Sequence, residues 1–401
     1  MRFEIVQGDA SLTSHSGLAL VGAILDHTTL RQRCQRVVLR HHAAPSVSHA
    51  DVVGAMLGLL CLGKPDFDAI EPFRQDPFFA TALGLGAVPS SPTLRQRLDR
   101  LAGILDDLLR EESAAMVGAL APAITPVHGD LVPLDIDVSP FDNSHTKKEG
   151  VAWTYKRFDG YAPILAYLGR EGYLLNLELR SGSTHSQHGF PAFLRQTLGL
   201  ARRVTGAPLL VRLDAAHDSR ETLLLCREEG VHFLIKRNLR GEEPETWVAI
   251  AQAEGQRAEP RLGKVVWTGE RWVERPEVDA PLRLVYQVTE RTRTPDGQAF
   301  LVPDLDVQTF WTSLPDAPEQ VIALYRDHGT SEQFHSEVKS DMDLERLPSG
   351  KFATNHLVLL LGMVAYNILR LLGQESLRGQ DAPLRKPGQR RRLRSVMQSL
   401  S

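Results

Sequence analysis

The chain has 401 residues, of which 42% are hydrophobic and 24% charged, with a formal net charge of −3. These values fit a folded, water-soluble protein of one large domain or two to three ordinary ones. They exclude binding to nucleic acid through a global positive field, so any DNA contact must use local basic patches. The three cysteines, Cys34, Cys61 and Cys226, are far apart and form no CxxC pair. That argues against a zinc knuckle or a disulfide scaffold and fits a reducing cytoplasm.

The N-terminal "MRFEIVQGDA" lacks the apolar core of a signal peptide. Residues 1–125 read as a helical region. "SHADVVGAMLGLLCLG" and "SPTLRQRLDRLAGILDDLLREESAAMVGAL" have helical spacing, and Ser91-Pro92 suits a helix start. Between them "PDFDAIEPFRQDPFF" reads as a turn-rich connection. The arginine clusters "RQRCQRVVLRHH" and "RQRLDR" fit solvated helix faces better than DNA contacts.

Near Val132 the pattern changes. "VPLDIDVS" alternates as a strand does. The polar loop "PFDNSHTKKEGVAWTYKRFDG" follows, and "YAPILAYLG" and "GYLLNLELR" then flank Arg170-Glu171 as a β-hairpin. "QHGFPAFLRQTLGLARRV" reads as a helix and "PLLVRLD" as a strand. "DSRETLLLCREEG" is a helix with Asp218 and Glu221 spaced as a capping box, and "VHFLIKRN" is another strand. Three antiparallel strands followed by two strands joined through a right-handed crossover resemble the ribonuclease-H-like fold. The fold expected for 126–239 and 311–375 is therefore α/β, a mixed sheet with flanking helices. Residues 240–310 read as a β-rich insertion, with "QTFWTSL" returning to the main sheet. The apolar run "LVLLLGMVAYNILRLL" contains Asn367 and Arg370 and reads as a buried helix, not a membrane span. Residues 376–401 read as a basic, mobile tail.

Asp135 and Asp137 lie two apart on one strand and share a face. Asp214 ends "LLVRLD", the strand end where α/β sheets place ligands. In the expected fold these strands are neighbours, and close carboxylates are hard to maintain without a cation. Further on, about 100° per residue places Tyr325, His328, Glu332 and Lys339 within an arc of roughly 60° on one helix face, with Glu337 nearly opposite. A restart of the helix at "GTS" would alter the angles of Tyr325 and His328. His185, His188 and His217 could suggest zinc, but their loop setting and the lack of an HExxH helix favour polar loop histidines.

The spacing Tyr325, His328, Glu332, Lys339 resembles the Tyr-Arg-Glu-Lys signature of bacterial DDE insertion-sequence transposases, with His328 in place of arginine. "LDIDVS" and "VRLDAAH" resemble the strands carrying that family's two aspartates. "ELRSGSTHSQHGF" and "DFDAIEPFRQDPFF" are similar to the group named after insertion sequence thirteen-eighty. The resemblance implies that Asp137, Asp214 and Glu332 are catalytic and bind two Mg²⁺ ions, with Mn²⁺ as a substitute and Asp135 as an alternative first ligand. It implies DNA contacts for Tyr325, His328 and Lys339, although a neutral imidazole cannot reproduce the bidentate phosphate contact of arginine. It further implies cleavage and strand transfer at terminal inverted repeats, insertion into target double-stranded DNA, and a homodimer assembled on DNA. The helical 1–125 region would bind the DNA ends, in a bacterial, nucleoid-associated, cytoplasmic setting. Family members commonly continue past the position of Ser401, which suggests a shortened copy. A ribonuclease-H-like nuclease without strand transfer and a catalytically impaired DNA-binding derivative are the alternatives.

Overall fold

In the computed structural model, residues 13–39, 46–274, 280–379 and 390–400 are described. The chain begins with α1 (Leu18–Asp26), α2 (Leu30–Gln35) and α3 (His49–Cys61). A 3-10 segment, Phe67–Gln75, leads into α4 (Pro77–Ala82), α5 (Ser91–Leu101) and α6 (Asp106–Leu120). The strand region holds β1 (Val132–Val138), the short β2 (Phe141–Asp142), β3 (Ala152–Trp153) and β4 (Asp159–Tyr161), then β5 (Ile164–Leu168) and β6 (Tyr173–Glu178). Next come α7 (Phe190–Val204), β7 (Leu209–Leu213), α8 (Arg220–Glu228), β8 (His232–Lys236) and α9 (Pro244–Glu254). The long strands β9 (Gln256–Arg261), β10 (Lys264–Val273), β11 (Leu282–Arg293) and β12 (Ala299–Thr312) precede α10 (Pro318–Asp327), α11 (Ser331–Ser336), α12 (Phe352–Glu375) and α13 (Leu393–Gln398).

By packing, the chain forms two units. One comprises 1–120, 147–149 and 337–401, the other 121–146 and 150–336. The expected second catalytic segment, 311–375, is therefore divided at Glu337.

The helical unit is built around α12, which packs against α3, α5, α6 and α13. α12 is long and apolar enough to cross a membrane, yet 89% of its most apolar window is buried inside the fold. Its polar residues are satisfied there: the Asn367 amide donates to Ser113 Oγ at 2.9 Å, and Arg370 pairs with the fully buried Glu337. The single long helical pattern from Ser91 to Leu120 is two helices. Ser90 caps α5, and the chain breaks before α6 at Gly103, whose φ of +77° suits glycine. In the first arginine cluster, Arg31 donates to the Leu83 carbonyl at 2.7 Å, and Arg33 pairs with Glu111 and Glu112 at 2.8 and 2.9 Å. These two side chains brace the fold and do not form a solvated face; residues 40–42 of the cluster lie outside the described part.

The described portion of the tail is also structured. Leu393 and Val396 of α13 are buried, and Arg392 and Arg394 pair with Asp341. The expectation of a mobile tail fails for residues 390–400, because its apolar residues recur on one helical face and its arginines meet a buried carboxylate.

The other unit contains a nine-stranded sheet in the order β6-β5-β1-β7-β8-β12-β11-β10-β9. β1 pairs antiparallel with β5 and parallel with β7, and β7 pairs parallel with β8. This is the expected mixed α/β, ribonuclease-H-like sheet with flanking helices. The 240–310 region differs in detail. Its strands continue the main sheet, because β12 is one unbroken strand that pairs with β11 along most of its length and with β8 at its end. The helix α9 was not anticipated, nor was the small β2-β4-β3 sheet within the polar loop. Ser219, not Asp218, caps α8 by accepting from the Thr222 amide. Asp218 instead accepts from the Asn238 amide and the Trp311 indole at 3.0 and 3.1 Å.

Candidate active site

Parallel pairing of β1 with β7 sets Ile136 opposite Leu213. The next residue on each strand is an aspartate, so Asp137 and Asp214 stand together at the carboxyl ends of neighbouring strands. Both line one open cavity of about 650 Å³. Their side chains are 26% and 41% exposed, so water and solutes reach both carboxylates.

Asp137 Oδ1 accepts the Val138 amide at 2.7 Å, and Oδ2 lies 3.4 Å from His335 Nε2. Burial pushes this carboxyl up, but His335, His328 and the Val138 amide outweigh burial and hold it below the usual aspartate value. Asp214 Oδ1 accepts the Ala216 amide at 3.1 Å and faces His217 Nδ1 at 2.8 Å. His217 is itself buried and packs on Phe190, which fixes the plane of the Asp214 carboxylate. Burial, and then the charges of Asp137 and Asp214, push the nearby Tyr155 phenol up to about 12. Tyr155 is thus a proton donor at neutral pH, and its hydroxyl donates to the Val138 carbonyl at 3.1 Å.

Asp135 shares the face of Asp137 but has a different environment. It is 2% exposed, and across the strand pair it faces Arg212, which is 1% exposed. Arg212 Nε and Nη2 donate to the two carboxylate oxygens at 2.6 and 2.7 Å, and His328 Nδ1 lies 2.9 Å from Oδ1. Burial raises the Asp135 carboxyl, but Arg212 and His328 overcome that and hold it at about 2. Arg212 also donates to the Leu324 carbonyl at 2.8 Å and to Asp327 at 3.1 Å. Asp135 is therefore committed to a buried ion pair that ties β1 and β7 to the end of α10.

The single helical face expected for Tyr325, His328, Glu332 and Lys339 is not formed. α10 ends at Asp327, residues 328–330 form a 3-10 turn, α11 covers 331–336, and 337–341 form a π-helical turn. Each change of winding resets the angular position of the residues after it, including the step from Glu332 to Lys339. His328 turns inward to Asp135. Tyr325 is half-buried against Phe310, with ring centres 4.7 Å apart, and burial followed by the charges of Asp214, Asp137 and Asp135 raises its phenol. Lys339 belongs to the helical unit and pairs with Glu345 at 3.1 Å. Arg326 donates to Gln287 at 2.7 Å.

Glu332 lies exposed on α11 and does not line the cavity that holds the aspartates. Among the described residues, no three Asp, Glu, His or Cys side chains are gathered closely enough to hold a metal ion. The structure thus joins Asp137 with Asp214 but leaves Glu332 apart from them. α11 is nevertheless docked beside this pair. Phe334 packs on Tyr167 with ring centres 5.0 Å apart, and His335, one turn beyond Glu332, reaches Asp137. Asp137 and Asp214 are hard-oxygen donors of the kind divalent cations take, and they share one accessible cavity.

Sequence reasoning missed Arg212, His335 and Tyr155, and it read His217 as a polar loop histidine, whereas His217 is buried against Phe190 and faces Asp214. Aligning "LDIDVS" with "LLVRLD" in parallel register would have placed Arg212 opposite Asp135. The spacing of three between Glu332 and His335 would have placed an imidazole one turn along the same helix.

A comparison with curated protein sequences finds no match. Among solved structures, the chain is similar to a piggyBac transposase synaptic complex with hairpin DNA, determined by cryo-electron microscopy, at 12% identity and a TM-score of 0.46; the alignment covers 96% of this chain and 77% of that one. The family model described as Transposase DDE domain group 1 matches residues 4–393. With nearly its whole length matched, this chain belongs to the DDE-domain transposase family.

Proposed function

We propose that the protein is an insertion-sequence transposase that cleaves and transfers DNA strands at the ends of its element. The observation that supports this most is the pair Asp137 and Asp214, at the ends of adjacent parallel strands in one accessible cavity. Asp137 and Asp214 would hold two Mg²⁺ ions, with Mn²⁺ able to substitute, and Glu332, on the adjacent α11, is the third acid expected to complete the set. The ions supply activation of an attacking oxygen and stabilisation of the departing one. The Asp135–Arg212–His328 cluster supports the reading that Asp137, not Asp135, is the first ligand, because both oxygens of Asp135 are already engaged.

The chain's own groups prepare the site. His217 and His335 orient the two carboxylates, and Tyr155 anchors the backbone next to Asp137. The inward position of His328, against Asp135, makes it a positioning residue for β1 rather than a DNA contact. In the first reaction, water attacks a phosphodiester at the terminal inverted repeat; the P–O3′ bond breaks and the departing oxygen takes a proton to become a 3′-hydroxyl. In the second, that hydroxyl attacks a phosphodiester of the target; one P–O bond forms as another breaks, so the number of bonds is unchanged. A homodimer would bring two ends together.

The test is cleavage of a plasmid carrying the DNA that flanks this coding sequence. Asp137→Asn, Asp214→Asn and Glu332→Gln are each expected to reduce Mg²⁺-dependent cleavage by at least about 10³-fold, with unchanged thermal stability. Full cleavage by the Asp137→Asn and Asp214→Asn variants would overturn the assignment. Normal cleavage by Glu332→Gln alone would restrict the catalytic set to the two strand-end acids. Release of nicked ends without joined product would favour a nuclease.

A further inference from the structure

Arg212 is a buried cation in the middle of an apolar strand. Its neighbours on β7, Leu209, Leu210, Val211 and Leu213, are all buried hydrophobic residues. Replacing a buried ion pair by apolar side chains of similar volume is often neutral or stabilising. Stability alone therefore does not account for the Asp135–Arg212 pair, and its connections show what an apolar pair could not do. Arg212 Nε and Nη2 meet the two oxygens of Asp135 on β1, while Nη1 reaches the Leu324 carbonyl and Asp327 in the last turn of α10. Carbonyls in that turn lack partners within the helix, and their partial negative charge suits a cation. His328, the first residue of the 3-10 turn, closes the circuit on Asp135 Oδ1.

Each acid of the candidate site follows one member of this cluster at short range. Asp137 is two residues beyond Asp135, Asp214 two beyond Arg212, and Glu332 four beyond His328. Asp135 stands directly opposite Arg212 in the β1–β7 ladder, so the pair also locks the register that sets Asp137 beside Asp214. A slip of one residue would turn the side chains of one strand to the other face of the sheet. We infer that Arg212 is a positioning residue that couples the two strand-end acids to the segment carrying Glu332. This rests on the proposed transposase function and names a residue beyond the acids on which that reaction depends. Arg212 acts through Asp135, Asp327 and the Leu324 carbonyl, not by contact with DNA. A lysine ammonium is a point charge and cannot present three nitrogens in one plane to these partners. Asp327 is the branch toward α10, and its side chain is 32% exposed, so this branch can be cut without opening the β1–β7 contact.

The experiment compares full-length Arg212→Lys, Asp327→Ala and Asp327→Asn with the wild type. The readouts are amide hydrogen exchange without metal, Tm, and kcat and KM for Mg²⁺-dependent cleavage of the plasmid carrying the flanking DNA. Asp327→Ala is expected to speed exchange across residues 328–336 while β1, β7 and Tm stay as in the wild type. It should lower kcat by about 10- to 100-fold at unchanged KM. Asp327→Asn keeps an acceptor for Nη1 and should recover most of both. Arg212→Lys should show the same loss and extend the faster exchange to β1 and β7; if it does not fold, the Asp327 variants decide alone. Wild-type exchange in Asp327→Ala, faster exchange with unchanged kcat, loosening of the whole chain in step with Tm, or an equal defect in the Asn and Ala variants would overturn the positioning role. Asp137→Asn/Asp214→Asn separates the two proposals. If that variant still cleaves while residues 328–336 loosen in Asp327→Ala, the catalytic reading fails and the coupling by Arg212 stands. If it loses cleavage while Arg212→Lys and Asp327→Ala cleave as the wild type does, the coupling fails and the catalytic reading stands.

Discussion

Two aspartates on one strand, two residues apart, have opposite fates. Asp135 is sealed under Arg212 and His328, whereas Asp137 opens to the cavity. Asp135→Asn removes one partner of a buried ion pair and leaves Arg212 underpaired, so it should cost about 3–5 kcal/mol of stability; Asp137→Asn should leave the urea midpoint nearly unchanged. The low position of the Asp135 carboxyl, about 2, sets the sign of its pH effect. Its folded-state value lies below the unfolded value of about 3.9. Its stabilisation is therefore fully present above about pH 4 and is lost as pH falls toward 2. Urea unfolding between pH 5 and 2 should show this loss, and an unchanged midpoint across that window would count against the buried pair. Glu337 requires the same treatment. An ideal helical wheel places Glu337 opposite Glu332, but the helix changes winding at Glu337, which meets Arg370 with both side chains fully buried. Glu337→Gln should therefore lower thermal stability before any effect on catalysis is measured. The sequence revealed which acids stood at strand ends, but not which had an arginine opposite, because that depends on strand register.

The elements that carry these acids were readable where one period dominates. β1, β5, β6, α7, β7, α8 and β8 occupy the expected segments, and their hydrophobic patterns explain why. Winding, by contrast, was not legible from pattern. Residues 325–341 have the composition of one helix, yet they contain a 3-10 turn at 328–330 and a π-helical turn at 337–341. Tertiary partners impose these turns: Asp135 draws in His328, Tyr167 receives Phe334, and Arg370 receives Glu337. Gly172 has a similar role. Its φ is +71°, and a Cβ there would collide with the Phe334 ring. Gly172→Ala should displace Phe334, loosen α11 and reduce both cleavage and thermal stability, with a stability loss above about 1 kcal/mol. Gly329 is the contrasting case. Its backbone is ordinary and its Cβ position is open, so Gly329→Ala should raise stability by about 0.4–1 kcal/mol. A large loss at Gly329 would show that the turn needs glycine.

At the scale of the molecule, long-range connections were least visible in the sequence. β12 runs without a break from the β-rich segment into the main sheet, and α13 ties the end of the described chain to Asp341. Composition marked both regions but could not reveal their partners. Deleting residues 390–401 should destabilise the protein by several kcal/mol, since Leu393 and Val396 are each worth about 1.5–3 kcal/mol when buried; an unchanged melting temperature would contradict the packing of α13. Everything functional depends on whether the strand-end acids hold divalent cations. The most direct measurement is Mn²⁺ binding to the full chain, followed by electron paramagnetic resonance, for the wild type and for Asp137→Asn, Asp214→Asn and Asp137→Asn/Asp214→Asn. Saturable binding that weakens in each single variant and disappears in the double variant is the predicted result. Equal Mn²⁺ binding by all four proteins would contradict the account.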